Sequence, residues 1–242
     1  MTVRFNRPAK KNAFTEAMYE ALAARLRSVD EDPEVRVILL GGEGGAFTAG
    51  NDLADFMERP PTGEDSAVFR FLHALLHAKT PIVAAVRGAA VGIGTTMLLH
   101  ADLVYASESA KFSLPFVNLG LCPEAASSLI LPRQIGHARA AELLMLGEPF
   151  DPVTAREAGI VTRVVEDDAV EATGLEAATK LAARPQASLR LTKELMRRWD
   201  RDLVSRAMAE EGEAFVRQLV SPEAREAFAA FMRRGASKKA GA

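Results

Sequence analysis

The sequence predicts an α/β fold of parallel strands covered by helices, on three observations. Short β-branched runs alternate with helical periodicity through the first two-thirds of the chain. The main runs, "VRVILL" at 35–40 and "PIVAAVRG" at 81–88, are almost wholly apolar, the pattern of strands buried on both faces. The last third carries helical patterns alone. Strand, helix, strand, helix in that order implies parallel pairing with helices between the strands.

The elements follow in order. "VRFN" at 3–6 is a short candidate strand. Residues 15–29 place Met18, Leu22, Leu26 and Val29 on one helical face, and "DEDP" at 30–33 ends that helix. "VRVILL" is the next strand, "GGEGG" at 41–45 a loop, and 64–78 a second helix. Pro81 suits the start of the strand "PIVAAVRG", since proline cannot donate inside a ladder. "AAVGIGTTMLLH" leads through glycines into a helix, and "LVYAS" at 103–107 is a third buried strand. Helices are predicted at 168–183, 187–200, 202–219 and 222–234, punctuated near Pro185 and at "SPE", 221–223. The tail "RRGASKKAGA" is small and basic and is expected to fray. The expected division is an α/β core over 1–167 that carries the site, and a helical region over 168–242.

The bulk numbers exclude some functions. A chain of 242 residues can bury a large core. With 48% hydrophobic and 26% charged residues it has a globular composition. A net charge of −2 gives no field that would gather nucleic acid or an anionic membrane. The single cysteine, Cys122, rules out an internal disulfide and suits a reducing compartment. "MTVRFNRPAKKNAF" shows no apolar leader, and no run of about 18 apolar residues occurs. The expected setting is cytoplasmic, with neither membrane nor nucleic acid as a partner.

Two glycine loops stand at the C-terminal ends of buried strands, the edge where such folds bind ligands. They are "GGEGGAFTAGNDL", 41–53, and "GAAVGIGTTM", 88–97. Glycine allows positive φ and close backbone approach, and a helix that begins after such a loop offers unpaired N–H groups. Two such loops facing one point could stabilise an oxygen that becomes negative during reaction. Each could equally be a tight turn. A nucleotide site is not indicated: "GIGTTM" lacks the third glycine of a dinucleotide loop, and no "GK[ST]" occurs.

Glu124 in "PEAASS", 123–128, is the other candidate. Pro-Glu at a helix start is favoured by dipole and geometry alone. A carboxylate in apolar surroundings is also a strong base. His73 and His77 have zinc-ligand spacing without a third ligand, and His100 and His137 have no partner pattern. Cys122 has no paired histidine and reads as packing. Phe69, Phe71, Leu72 and Leu75 either line a ligand or pack as core.

Taken together, "NRPAKKNAF" (6–14), "AFTAGNDLADF" (46–56), "PIVAAVRGAAVGIGTTMLLHADLVYAS" (81–107) and "FVNLGLCPEAASSLILPRQIG" (116–136) resemble the successive motifs of the enoyl-CoA hydratase/isomerase (crotonase) family. "EPFDPVTAREAGIVTRVV" (148–165) and "RPQASLRLTKELMRR" (184–198) continue the likeness in order. The resemblance implies a crotonase-like spiral of ββα units with a helical C-terminal trimerisation region. It also implies acyl-CoA thioester substrates and assembly as a homotrimer or dimer of trimers. Coenzyme A enters as part of the substrate, and no separate cofactor or metal is expected. The chain starts almost at the first motif, so the family's first strand is expected to be short or missing.

The same resemblance assigns roles. The backbone N–H groups of Asn51 and Ile93 would form the oxyanion hole. Lys11 and Ala13 would lie near the adenine end of coenzyme A. Ala49, Gly50, Asp52, Leu53, Gly92, Thr96, Phe116 and Leu121 would contact substrate, with Asp52 bracing its loop. Asn118 is a candidate for holding a water or orienting the acyl chain, or for a turn. The basic cluster Arg233, Arg234, Lys238 and Lys239 would reach phosphates or simply be solvated. Where the family's hydratases carry two glutamates, this chain has Thr96 and Phe116. Its Glu124 matches the single catalytic glutamate of peroxisomal-type Δ3,Δ2-enoyl-CoA isomerases. The implied activity is double-bond isomerisation. A hydratase using Glu124 and water, and a non-catalytic acyl-CoA-binding relative, stand as alternatives.

Overall fold

The computed structural model describes residues 1–63 and 65–240; the side chains of 234–240, including Arg234, Lys238 and Lys239, lie outside the described residues. Five parallel strands form the main sheet in the order β1-β2-β3-β5-β7. They are β1 (Thr2–Phe5), β2 (Ile38–Gly42), β3 (Ile82–Val86), β5 (Leu103–Ser107) and β7 (Arg163–Val165). A second, two-stranded parallel sheet pairs β4 (Ala89–Val91) with β6 (Lys111–Ser113). The short β1, read from the sequence as a candidate strand at 3–6, pairs in parallel with β2, Val3 opposite Leu40.

The strands run in pairs followed by helices. β3 crosses Gly88 into β4 and then α4 (Ile93–Thr96). β5 leads to β6 and, after a loop, to α5 (Ser127–Ile135). The first strand of each pair joins the large sheet and the second the small one. β2 follows the same path: Thr48 bridges Ala90 in parallel, and α2 (Leu53–Glu58) comes next.

Period-two alternation explains why the buried strands read as unbroken apolar runs. Ile38, Leu40, Ile82, Ala84 and Val86 share a core with Tyr19, Leu22, Leu26, Phe71, Leu72 and Leu75 of α1 (Glu16–Glu31) and α3 (Ala67–His77). Leu39, Val83, Ala85 and Tyr105 form a second core with Val170, Ala177 and Ala178 of α8 (Val170–Ala182). Each fully buried Leu, Ile or Phe side chain stabilises by about 1.5–3 kcal/mol. The N-terminus of α1 is capped by the Thr15 hydroxyl, which accepts from Met18 N–H.

The C-terminal half continues as α6 (His137–Ala141), α7 (Pro152–Glu157), α8, α9 (Gln186–Arg198), α10 (Arg201–Leu219) and α11 (Pro222–Ala240). A 3-10 turn, Met97–His100, follows α4. The tail expected to fray is helical to Ala240. A buried ion cluster fastens α9. Lys193 Nζ lies 2.7 Å from Asp102 Oδ2, Arg197 reaches Oδ1 at 3.2 Å, and Asp102 also accepts from Ile82 N–H. The same helix leaves Leu191, Leu195, Met196 and Trp199 exposed, Trp199 by 85%. Among the described residues no helix is long and apolar enough to cross a membrane.

Candidate active site

The two glycine loops meet through backbone. Thr48 N–H donates to Ala89 O (2.9 Å) and Val91 N–H to Thr48 O (3.1 Å). Gly50 has φ +86, and a Cβ there would lie 2.6 Å from Val91 O. No other residue fits that contact without parting the loops.

The segment 6–14 is fastened to the first loop by Asn12, which is fully buried. Its Oδ1 accepts from Arg7 N–H, and its Nδ2 donates to Glu43 O (2.8 Å) and Ala46 O (2.7 Å). Lys11 and Asn12 both lie in the left-handed region, φ 47 and 57. Phe14 N–H donates to Gly50 O (2.7 Å) and Asp52 N–H to Phe14 O (2.8 Å). Those bonds flank Asn51, so its own N–H faces away from Phe14. Among the described residues neither Asn51 N–H nor Ile93 N–H has a partner.

Both residues line a cavity of about 290 Å³. Ala13, Ala49, Gly50, Asp52, Leu53, Gly92, Phe116 and Leu121 also line it. Phe56, Phe215, Phe228 and Phe231 complete an apolar wall from α2, α10 and α11. Asp52 braces its loop: it caps α2 through Ala54 N–H, and Arg7 reaches its Oδ2 at 2.6 Å. Partial burial works to raise the Asp52 pKa, but the Arg7 hydrogen bond and charge outweigh it and hold it below the usual value.

The other residues singled out from the sequence lie off this wall. Lys11 is exposed and off the cavity wall, where Lys10 stands instead. The left-handed turn at 11–12 separates the two lysines. Thr96 is fully buried off the wall, its Oγ1 without a partner among the described residues. Asn118 is exposed against Gly147. Phe71, Leu72 and Leu75 are core, and Phe69 packs on Gly212 of α10. Cys122 packs against α10, its Sγ 3.6 Å from Glu211 O, and burial pushes its thiol up to about 11. His73 and His77 stack on α3 at 4.3 Å, and no group of three metal-ligating side chains occurs among the described residues. Arg233 is exposed.

Glu124 is only 5% exposed and is not among the residues that line the cavity, although Phe116 and Leu121 of the same segment are. Its Oε1 has no hydrogen-bond partner among the described residues. Burial first, and then the neighbouring Glu211 charge, push its pKa up to about 8. Burial first, and then the Glu124 charge, raise the Tyr19 hydroxyl well above its ordinary value, and that hydroxyl donates to Asn51 Oδ1. This links the acid electrically to the loop that carries the Asn51 amide.

The turn after Glu124 is strained. Ala125 and Ala126 are both left-handed, φ 60 and 57, a conformation that costs an alanine roughly 1–2 kcal/mol. His100 Nε2 donates to Ala125 O (2.8 Å), and Glu211 accepts from Ala126 N–H (2.6 Å) and Ser128 N–H (2.9 Å). Burial pushes His100 down to about 4, so its ring is neutral. Sequence reasoning missed Asn12, His100, Glu211 and the α11 phenylalanines. For Glu211 a signal exists: it interrupts the apolar face of Met208, Phe215 and Leu219 at helical spacing.

Comparison with known proteins identifies the family. Residues 1–238 match the family model described as enoyl-CoA hydratase/isomerase. The chain is 39% identical over 202 residues to the Escherichia coli protein named 1,2-epoxyphenylacetyl-CoA isomerase, covering 80% of this chain and 77% of that one. It is 36% identical over 241 residues to enoyl-CoA delta isomerase 2 of Rattus norvegicus, covering 96% of this chain but 61% of the rat protein. The solved structure of Pseudomonas aeruginosa OdaA superposes with a TM-score of 0.93 at 47% identity, covering 96% and 94% of the two chains. The chain belongs to the enoyl-CoA hydratase/isomerase (crotonase) family.

Proposed function

We propose that this chain is a Δ3,Δ2-enoyl-CoA isomerase, moving a double bond from the β,γ to the α,β position of an acyl-CoA thioester in fatty acid metabolism. One observation carries the reading: a buried carboxyl, Glu124, has one oxygen unpartnered, and its segment also supplies Leu121 to an apolar cavity whose wall holds the free amides of Asn51 and Ile93.

The chemistry follows from those groups. Ionised Glu124 takes a proton from C2, and the electron pair forms a dienolate whose oxygen accepts from the two amides. The carboxyl then returns the proton to C4, and the double bond settles between C2 and C3. Each oxyanion donor is worth about 2.7–4 kcal/mol of barrier, and a positioned base about 10²–10⁴-fold in rate. Water addition would call for a second proton carrier. Glu211 is the nearby carboxylate, but both its oxygens are held by donors of the 126–128 turn.

The test is product analysis after incubation with cis- and trans-3-enoyl-CoA and with 2-enoyl-CoA. The reading expects 2-enoyl-CoA from the 3-enoyl substrates, and loss of about 10²–10⁴-fold in Glu124→Gln with thioester binding kept. Hydration of 2-enoyl-CoA at a comparable rate would favour a hydratase, and no turnover at all a binding protein. Assembly as a homotrimer belongs to the same proposal, supported by the exposed Leu191, Leu195 and Trp199 along one face of α9.

A further inference from the structure

We propose that Glu211, carried on α10, is the positioning residue for Glu124: its carboxylate holds the left-handed turn that follows the buried Glu124 and fixes that side chain. The inference rests on the reading of Glu124 as the proton carrier.

Four observations support it. First, Glu211 is buried on the apolar face of α10 among Met208, Phe215 and Leu219. A charge there is costly unless its oxygens are satisfied. Second, among the described residues no cation pairs with it. Its partners are all in the turn: Oε2 accepts from Ala126 N–H at 2.6 Å, while Oε1 accepts from Ser128 N–H at 2.9 Å and from the Ser128 hydroxyl. Third, that turn needs an external clamp. Two successive alanines stand at positive φ, a conformation that persists only where the surroundings impose it. His100 holds the Ala125 carbonyl from one side, Glu211 holds the following amides from the other, and the Ser127 hydroxyl donates to Glu124 O at 2.7 Å. Fourth, the two carboxyls interact, and Glu211 helps raise the proton affinity of Glu124.

The ionisable groups facing this pair come from several elements. They are Tyr19 of α1, His100 of the 3-10 turn through Ala125, Cys122 of the same loop, and Arg217 of α10 by way of Cys122. Glu211 alone among them bonds the turn's amides with a carboxylate. Removing its charge therefore acts on Glu124 in two ways, by loosening the turn and by making the carboxyl more acidic.

The test uses the full chain as wild type, Glu211→Gln, Glu211→Asp, Glu124→Gln and the double variant Glu124→Gln/Glu211→Gln. Turnover is followed with a 3-enoyl-CoA. The Glu124 carboxyl is titrated without substrate by infrared difference against Glu124→Gln. Glu211→Gln is expected to lower kcat by about 10–100-fold, to leave KM within about twofold, and to move the Glu124 titration to lower pH. In the Glu124→Gln background it should cost nothing more. Unchanged kcat and unchanged titration in a folded Glu211→Gln would overturn the proposal. So would an equal loss in both backgrounds, which marks a purely structural role. Should Glu211→Gln not fold, Glu211→Asp decides: it keeps the charge but withdraws it by one methylene, and wild-type kcat from it would overturn the proposal. If the wild type itself turns over no 3-enoyl-CoA, the isomerase reading fails, and the titration alone then judges Glu211.

Discussion

Replacing Glu124 with glutamine should make the protein more stable, increasingly so as the pH rises. The carboxyl is buried and its folded-state pKa is about 8, against 4.5 for an ordinary glutamate. In the unfolded chain it ionises near 4.5; in the folded chain it stays protonated until about pH 8. Because the folded value is the higher one, the residue carries no penalty below the unfolded pKa. The penalty grows by about 1.4 kcal/mol per pH between the two values and is constant above the folded one. Its full size is on the order of 5 kcal/mol. Glutamine has nearly the same shape and never ionises, so Glu124→Gln removes the pH-dependent part. The assay is urea unfolding of both proteins, at equal concentration, from about pH 5 to 9. The difference in stability should widen steadily to about pH 8 and then level off. A difference that is flat with pH would refute the reasoning, since it would mean that Glu124 is ionised or solvated in the native state.

Other outcomes follow from the same structure. If the working form of Glu124 is the carboxylate, kcat/KM for a 3-enoyl-CoA should rise with pH through about 8 and be lost below it, as a pH–rate profile would show. Gly50→Ala forces a Cβ to within 2.6 Å of Val91 O at φ +86; thermal unfolding should register a loss of at least about 1–2 kcal/mol, and kcat should fall on the order of 10²-fold. Asp102→Asn leaves Lys193 and Arg197 buried without a counter-charge, so chemical denaturation should show about 3–5 kcal/mol of destabilisation. Trp199→Glu places a charge in the exposed apolar face of α9; light scattering should report a smaller assembly than the wild type forms.

The sequence made some of this architecture plain and hid the rest for physical reasons. The runs at 35–40 and 81–88 were readable because both faces of β2 and β3 are buried, so nearly every residue is apolar. The strands β4, β6 and β7 have three residues each, too few to show a period. The two glycine loops were legible because tight turns and close backbone approach demand glycine, which shows as a local pattern. Glu211 meets Ala126 across 85 positions of sequence, and His100 meets Ala125 across 25; no local signal reports such contacts. Which of two adjacent lysines faces the cavity was not legible: two successive left-handed residues leave Lys10 on its wall and Lys11 off it.

The most direct test of Glu124 as sole proton carrier is isotope tracing with a 3-enoyl-CoA doubly deuterated at C2. A shielded single carboxyl should deliver part of the C2 deuterium to C4 of the 2-enoyl product, and the Glu124→Gln variant should deliver none. A product whose new C4 hydrogen comes wholly from solvent would contradict the account, because a shielded carboxyl that carries the proton itself keeps part of the label.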